Sequence, residues 1–516
     1  MKATQPLWAS ARLDRSFSPP PPGPLSVDVV IVGGGITGLT SALLLKRAGK
    51  RVAVLEARHI LDGVSGATTA HLTQMLDTRY HVLEDRFGEE GTRQVAASNA
   101  AAIELIELIT RELKIDCGFA RVPGFLFAET QAQRDELEEE LHAVLRAGMN
   151  AAAQGAPPLP FPVKLAVRVE NQAQLHPLKY LVPIAHEIHS HGSFVIEHAP
   201  VTAVHDGTPC SVETSTGLTV TAPQVIIATH SPLNRVLLLT KLAHYRSYVI
   251  SGPVPKAMDG LLWDMADPYH YVRTHQTRRG PQLVIGGEDH KTGQEPDTEG
   301  AFERLTEYAK RYRMVPTRRW SAQVVETVDG LPFIGRNSGS TNVLAATGFS
   351  GNGFTFGTLA AMILTDRVLG RPNPWTDLYD ATRIKPLASL KSYITENIDF
   401  PFYFVSGAIK PPDVLSVADV GVNEGKIVRV DGKQLAVFRD GGGDLHAVSS
   451  VCTHLGCHVG FNSAQKSWDC PCHGSRFSVD GEVLDGPAVK PLQRHDIDDD
   501  DDANITHADA HQEAAQ

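Results

Sequence analysis

The sequence predicts an α/β body followed by a separate all-β module, and three observations carry that reading. A β-branched run over 27–32 leads directly into Gly33-Gly-Gly35-Ile-Thr-Gly38 and an apolar helix, with a second strand over 51–56. Residues 245–290 read as antiparallel sheet, with strands over 269–273 and 283–287 around the turn-rich 277–281. From about 413 to 495 the chain is short strands and glycine turns, and it holds four of the six cysteines.

A length of 516 residues corresponds to about three domains at roughly 100–200 residues each. Hydrophobic residues make up 42% and charged residues 21%, an ordinary globular balance. The net charge is −11, and six of the acids, Asp496 and Asp498 to Asp502, form one run near the C-terminus. Nothing here offers the basic surface a nucleic acid needs. No apolar stretch approaches the ~20 residues of a membrane span. Residues 1–26 lack the apolar core of a secretory signal and are expected to form a solvated arm, with the protein in the cytoplasm. A secreted disulfide framework would spread its cysteines. Here four cluster between Cys452 and Cys472, which reads as a metal site, while Cys117 and Cys210 stand alone as ordinary thiols.

In chain order, the pattern predicts helices over 39–48, 89–113 and 132–147, a loop over 150–160, a helix over 179–189 and a strand over 194–197. A hairpin around 206–215, a strand over 224–228, the 245–290 sheet and a helix over 302–312 follow. A strand over 342–348 ends in Gly348 and the turn Phe349-Ser-Gly351-Asn-Gly353, then a helix over 358–369. Six prolines between 371 and 412 mark a connection, and residues 496–516 form an acidic tail without a core. The domains are thus an arm (1–26), the α/β body (27–370), a linker (371–412), the all-β module (413–495) and the tail (496–516).

Gly33-x-Gly35-x-x-Gly38 follows a strand and opens a helix, and Glu56 closes the next strand, which is the setting a dinucleotide fingerprint requires. Gly33 allows the tight turn, Gly35 the approach of a pyrophosphate, and Gly38 close helix–strand packing. The helix start supplies free N–H groups for phosphate, and Glu56 accepts from ribose hydroxyls. The turn alone fits FAD or NAD. The stretch VDVVIVGGGITGLTSALLL with Glu56, Ser65-Gly66-Ala67-Thr68-Thr69, Val225-Ile-Ile-Ala-Thr-His230, Val328-Asp-Gly-Leu-Pro-Phe-Ile-Gly335 and Ala346-Thr-Gly348 resembles the D-amino-acid-oxidase-like flavoproteins. The resemblance implies a Rossmann-like FAD domain interleaved with an antiparallel-sheet substrate domain. It implies cofactor contacts from Ile36, Thr37, Ala57, Val201, Ala228 and Thr229, with Ser65, Thr68 and Thr69 near the flavin ring. The turn of Gly348, Gly351, Asn352, Gly353 and Phe354 would face the pyrimidine end, where N–H groups and a helix start favour negative charge on reduced flavin. Some relatives attach FAD through a histidine in the 62–71 stretch. His71 does not match that spacing cleanly and reads as a pocket or packing residue.

Cys452-Thr-His454-Leu-Gly-Cys457 and Cys470-Pro-Cys472-His473-Gly-Ser475 are two Cys-x-His/Cys-x-x-His boxes. Such half-sites can hold zinc or a 2Fe–2S centre, and the extra Cys457 and Cys472 favour the latter because a zinc site needs only four ligands. The pattern looks like a Rieske module of the disulfide-bearing respiratory kind. That match implies Cys452 and Cys470 on one iron, His454 and His473 on the other, and a Cys457–Cys472 disulfide, with Gly486-Pro487-Ala488 as the proline loop over the cluster. In the highest-potential relatives a serine and a tyrosine after the second box both donate to the cluster; here Ser475 is present and Phe477 stands at the tyrosine place.

In glycine-oxidase-like relatives an arginine before the Asp-Gly-x-Pro segment clamps the substrate carboxylate, and ungapped alignment puts Val324 there. Arg273 could replace it, or the substrate carries no α-carboxylate. Glu326 could attract a cationic amine, and Tyr271 completes the candidate catalytic set. Asp267-x-x-His270-x4-His275 fits the iron-ligand spacing of Rieske oxygenases, but residues five apart on a strand face opposite sides. The reading is an FAD-dependent oxidoreductase acting on an amine or amino-acid-like C–N bond, passing electrons through the cluster to a quinone, cytochrome or ferredoxin-like acceptor. An electron-transfer protein relaying between partners, and an oxygenase, are the alternatives.

Overall fold

The computed structural model describes residues 5–11, 13–20, 22–155, 157–233, 236–336, 339–383 and 411–497. The described residues fall into two compact units, one within Met1–His290 and Gly300–Glu396, the other within Lys291–Glu299 and Asn397–Gln516.

The first unit is built on a six-stranded sheet ordered Phe333–Arg336, Val343–Thr347, Gln224–Ile227, Val29–Val32, Val52–Leu55, Phe194–Ile196. All neighbours are parallel except Phe333–Arg336 against Val343–Thr347. Val29–Val32 and Val52–Leu55 are buried at every position, as unbroken β-branched runs between helix layers must be. The chain runs outward from Val29–Val32 on one side and returns through Gln224–Ile227 on the other, so the order reverses at the first glycine turn. Open α/β sheets bind ligands at such a reversal. The helices Ile36–Arg47 and Gly353–Val368 carry little polar surface because they pack on the sheet and on each other.

The second sheet of this unit is mainly antiparallel and ordered Arg318–Thr327, Leu242–Pro253, Gly280–Lys291, His270–Thr277, Leu261–Asp264, Ala120–Ala128, Leu165–Gln174, His71–Leu72. The expected strands over 269–273 and 283–287 are there as His270–Thr277, extended at its end, and Gly280–Lys291, extended at both ends. The expected loop over 150–160 instead begins with a strand, Ala151–Gln154, paired with Ala166–Val169. Three alanines in a row carry no alternation from which a strand is read. The helix expected over 89–113 begins at Tyr80 and turns at Gly88 (φ 74°).

Two further departures concern the ends. The N-terminal arm is not solvated: Leu7 and Trp8 are buried in the main core. Residues 371–383 of the expected linker pack on the first unit, with Tyr379 buried against Ser98 Oγ and Arg383 paired with Asp329 at 2.7 Å. Residues 384–410, with Pro386 and Pro401, and the tail from 498 lie outside the described residues.

The second unit carries two antiparallel four-stranded sheets. One is Glu424–Val430, Lys433–Arg439, Leu445–Ser449 and Arg494–His495; the other is Gly460–Asn462, Ser467–Asp469, Arg476–Ser478 and Val483–Asp485. Trp468 and Phe477 are paired in register at its core. Lys291–Glu299, from the middle of the chain, also belongs to this unit.

Candidate active site and cluster site

The first glycine turn is shaped by close backbone approaches. Gly33 has φ +112°, and a β-carbon there would lie 2.4 Å from the carbonyl oxygen of Ala228. A β-carbon on Gly38 would lie 1.9 Å from the carbonyl oxygen of Gly33, so helix and turn meet with no room for a side chain. Glu56 accepts from Gly34 N at 2.7 Å and Arg58 N at 3.0 Å, which fixes its carboxylate at the end of the second strand. Ser65 Oγ accepts from Ile36 N at 3.0 Å and ties the 65–69 segment to the helix start. Ala57, just past the second strand, is exposed, and Val201 is buried. Thr229 donates to Ser231 O, and Thr347 donates to His230 O, binding the two strand ends together.

The second turn is held as firmly. Gly348 has φ +78°. Asn352 donates to Met75 O at 2.9 Å and accepts from Asp77 N at 3.3 Å, while Asp77 accepts from Gly351 N and from Tyr269 Oη at 3.0 Å. Asp77 thus joins the turn to the antiparallel sheet. Gly353 starts the helix and Phe354 is buried beneath it.

Between the turns, the 65–72 segment lies against one face of the antiparallel sheet. Trp320 Nε1 donates to Ala67 O at 2.7 Å, and Trp8 Nε1 donates to Thr68 O at 2.6 Å. His71 Nδ1 and Thr69 Oγ1 are 2.9 Å apart, and the ring packs on Trp263 and Tyr271. His71 is 9% exposed, and its Nε2 has no hydrogen-bond partner among the described residues. Burial, and then the charge of Arg273, push its pKa down to about 3, so the ring is neutral.

Register places Trp320, Ala322, Val324 and Glu326 on the same face as Val249, Ser247, Tyr245 and Ala243. Trp263 and Tyr271 share that face. Tyr271 Oη and Ser247 Oγ are 2.8 Å apart. Val324, at the clamp place, is buried and apolar. Arg273 is 1% exposed; its guanidinium donates to Gln174 Oε1 at 3.1 Å and Leu175 O at 2.9 Å, and Trp8 covers it with ring and charge 5.1 Å apart. Those bonds tie it to the strand Leu165–Gln174 rather than to an open cavity. The oxygenase-like triad does not converge. His270 is bonded to Asp264 at 2.8 Å, while His275 packs on Trp8 and His176 on the opposite face.

In the second unit the two boxes fold as facing loops. Cys452 N donates to Cys457 O at 2.8 Å, and Cys470 N donates to Ser475 O at 2.8 Å. Cys457 and Cys472 form a disulfide, with their Cα atoms 6.5 Å apart. Cys452 and Cys470 remain free thiols, buried and within hydrogen-bond reach of each other. The His454 and His473 rings stand 5.0 Å apart, and burial lowers both pKa values, His473 to about 4. Two buried thiols and two half-buried imidazoles, carried on the same two loops, are the donor set a Rieske cluster needs. Ser475 is buried; its Oγ accepts from Ala488 N at 3.0 Å, and its hydroxyl reaches the Cys452 sulfur. Phe477 is fully buried and brings no donor.

The Lys291–Glu299 segment braces the second box. Gly293 (φ +75°) lies so close that a β-carbon would meet Pro471 N at 2.7 Å and Asp469 O at 2.9 Å. Gln294 donates to Pro471 O at 3.3 Å, and Thr298 Oγ1 accepts from Ala464 N at 3.1 Å. Trp8, Asp77, Asp289 and Gly293 all escape sequence reading, because each acts through a contact between distant chain segments and none lies in a motif.

Residues 28–367 match the FAD dependent oxidoreductase family model, and residues 410–496 match the Rieske [2Fe-2S] domain. The chain belongs to the FAD dependent oxidoreductase family. It carries a C-terminal Rieske domain, and its cofactors are FAD and a 2Fe–2S cluster. The Rieske 2Fe-2S iron-sulfur protein YhfW of Bacillus subtilis (strain 168) is 33% identical over 91% of this chain and 94% of its own length. Gamma-glutamylputrescine oxidoreductase of Escherichia coli (strain K12) is 27% identical over 72% of this chain and 88% of its own. Among solved structures, glycine oxidase from Geobacillus kaustophilus superposes with a TM-score of 0.61 at 19% identity, covering 70% of this chain and all but 1% of that one, a likeness of fold. No helix among the described residues is long and apolar enough to cross a membrane.

Proposed function

We propose that this family member oxidises a C–N bond of an amine or amino-acid-like substrate and passes the electrons through its Rieske domain to an external acceptor in the cytoplasm, a quinone, cytochrome or ferredoxin-like carrier. The observation that carries the reading is the pair of free, buried thiols and the adjacent pair of imidazoles on the same two loops, in a chain that also holds a complete flavin-type double turn. The relative named for gamma-glutamylputrescine supports an amine donor.

When bound, FAD supplies a two-electron acceptor, and the cluster supplies a one-electron carrier whose two imidazole ligands raise its potential above thiolate-only centres. The chain's residues hold and shield these groups. Cys452, Cys470, His454 and His473 would ligate the cluster, and the Cys457–Cys472 disulfide keeps the two loops together. Gly33, Gly35 and Gly38 with Glu56 would hold the dinucleotide, and the turn Gly348–Gly353 would present backbone N–H groups to the ring's pyrimidine end. Trp8 and Trp320 pin the 65–69 segment in place. His71, neutral and packed on Tyr271, orients without bringing a charge.

Anaerobic mixing with a panel of amines and amino acids tests the reading. A substrate should bleach the flavin absorbance and then the cluster absorbance. A panel that bleaches neither while a partner reductase bleaches both would favour a relay between proteins.

A further inference from the structure

Among the described residues, the sheet that meets the 65–72 segment commits Arg273 to Gln174 and Leu175 and leaves one oxygen of Asp289 without a hydrogen bond. The two acids near its centre differ sharply. Asp77 is fully occupied, accepting from Gly351 N and Tyr269 Oη with the charge of Arg79 nearby. Asp289, on the strand Gly280–Lys291, is bonded through Ser247, yet its Oδ1 is shut off from solvent and takes no hydrogen bond among the described residues. The residue as a whole is half-buried. Glu288 turns to the opposite face, where it meets His270, and so does not share this place. A buried oxygen without a donor costs free energy that a ligand's N–H can recover.

Its neighbours suit one kind of ligand. Tyr269 and Tyr271 stand with ring centroids 5.9 Å apart, and burial holds both phenols neutral. Tyr271 Oη lies 2.8 Å from Ser247 Oγ. A carboxylate, two phenol rings and a hydroxyl bring acceptors and π faces together, which is a setting for an ammonium group. On the same sheet Val324 is apolar, and Arg273 is committed to Gln174 and Leu175 under Trp8, so neither offers a charge to an α-carboxylate.

We infer that Asp289, with Ser247, Tyr269 and Tyr271, binds an alkylammonium group, so the substrate is a cationic amine that needs no α-carboxylate. This inference rests on the amine-oxidation reading and narrows it.

The test uses the flavin-loaded full-length protein and tert-butylammonium, which carries no α-hydrogen and cannot be oxidised, against its neutral isostere tert-butanol. Binding is read as the perturbation of the flavin absorbance. The cation should half-saturate at a concentration at least about tenfold below the alcohol, and Asp289→Asn should lose at least about tenfold in cation affinity, the scale of a broken buried charge contact. Ser247→Ala should weaken binding less. Equal binding of cation and alcohol, no perturbation by either, or unchanged cation affinity in Asp289→Asn would overturn the inference. Should Asp289→Asn fail to fold, the wild-type comparison of cation with alcohol still decides. n-Butylamine separates this from the parent reading. Reduction of the flavin without cation preference would sink the ammonium site alone. Cation binding through Asp289 with no amine reducing the flavin would sink the oxidation reading alone.

Discussion

Trp8 donates its indole N–H to the carbonyl of Thr68 at 2.6 Å, so a residue of the N-terminal arm fixes the segment that leads into the flavin site. The same indole covers Arg273 and packs edge-on to His275 at 4.8 Å and against His176 at 4.9 Å. Trp8→Ala should cost about 3–5 kcal/mol, as removal of a buried aromatic ring does, and should release flavin at lower denaturant. Trp8→Phe keeps most of the packing and loses the hydrogen bond, and should cost about 1–2 kcal/mol. Urea unfolding followed by flavin fluorescence measures both.

The two cofactors should be lost separately. Gly35→Val sets a β-carbon 2.9 Å from Ser65 Oγ and fills the approach to the phosphates, so flavin should be absent and iron unchanged. Cys470→Ser should remove iron and keep flavin. Iron and flavin content per chain are the readouts, and the two stability changes should add.

Gly293→Ala should disturb the second ligand box from a position 177 residues before Cys470. Its β-carbon would meet backbone atoms, which cannot swing aside, and its φ of +75° strains any side chain. Iron content should fall while flavin content holds. Gln294→Ala, which removes the side-chain hydrogen bond to Pro471 O without backbone strain, should retain iron and cost about 1 kcal/mol.

These contacts mark how far the sequence could be read. The glycine turn with its flanking strands and the two Cys–His boxes are legible because each lies in a local pattern with its own period or spacing. A proline-rich arm shows no periodicity from which burial is read, yet the Trp8 ring is fully buried. Asp289 follows a backbone irregularity, with Gly287 at φ 145° and Glu288 at φ 58°, and simple alternation therefore misplaces it. Arg273 was read as a clamp from its strand alone, but the partners that occupy it, Gln174 and Leu175, come from a strand that pairing across the sheet brings near.

Stability should fall as pH rises from about 6.5 to about 9 through one buried ion cluster. Burial alone would push the His270 pKa down, but Asp264 at 2.8 Å and Glu288 at 3.3 Å outweigh it and hold it at about 9. A histidine whose folded pKa exceeds its unfolded value of 6.5 contributes fully below that value and loses its contribution as pH passes the folded one. His270→Gln should flatten this slope. Urea midpoints of both proteins across pH 6–10 provide the comparison.

The cluster's potential should sit above ferredoxin-type centres and below the top of the Rieske range, about +300 mV. Ser475 can still donate, since its bond to Ala488 N uses a lone pair, but Phe477 offers no second donor. Ser475→Ala should lower the midpoint and Phe477→Tyr should raise it, by redox titration with electron paramagnetic resonance.

The most direct test of electron exit through the Rieske domain compares wild type with Cys470→Ser, using any amine that reduces the flavin. Flavin reduction should proceed alike in both under anaerobic rapid mixing. Steady turnover with a one-electron acceptor should fall steeply in the variant, and wild type alone should show the reduced-cluster resonance after mixing. Equal turnover in the two proteins would contradict the account and leave the cluster without a part in the electron path.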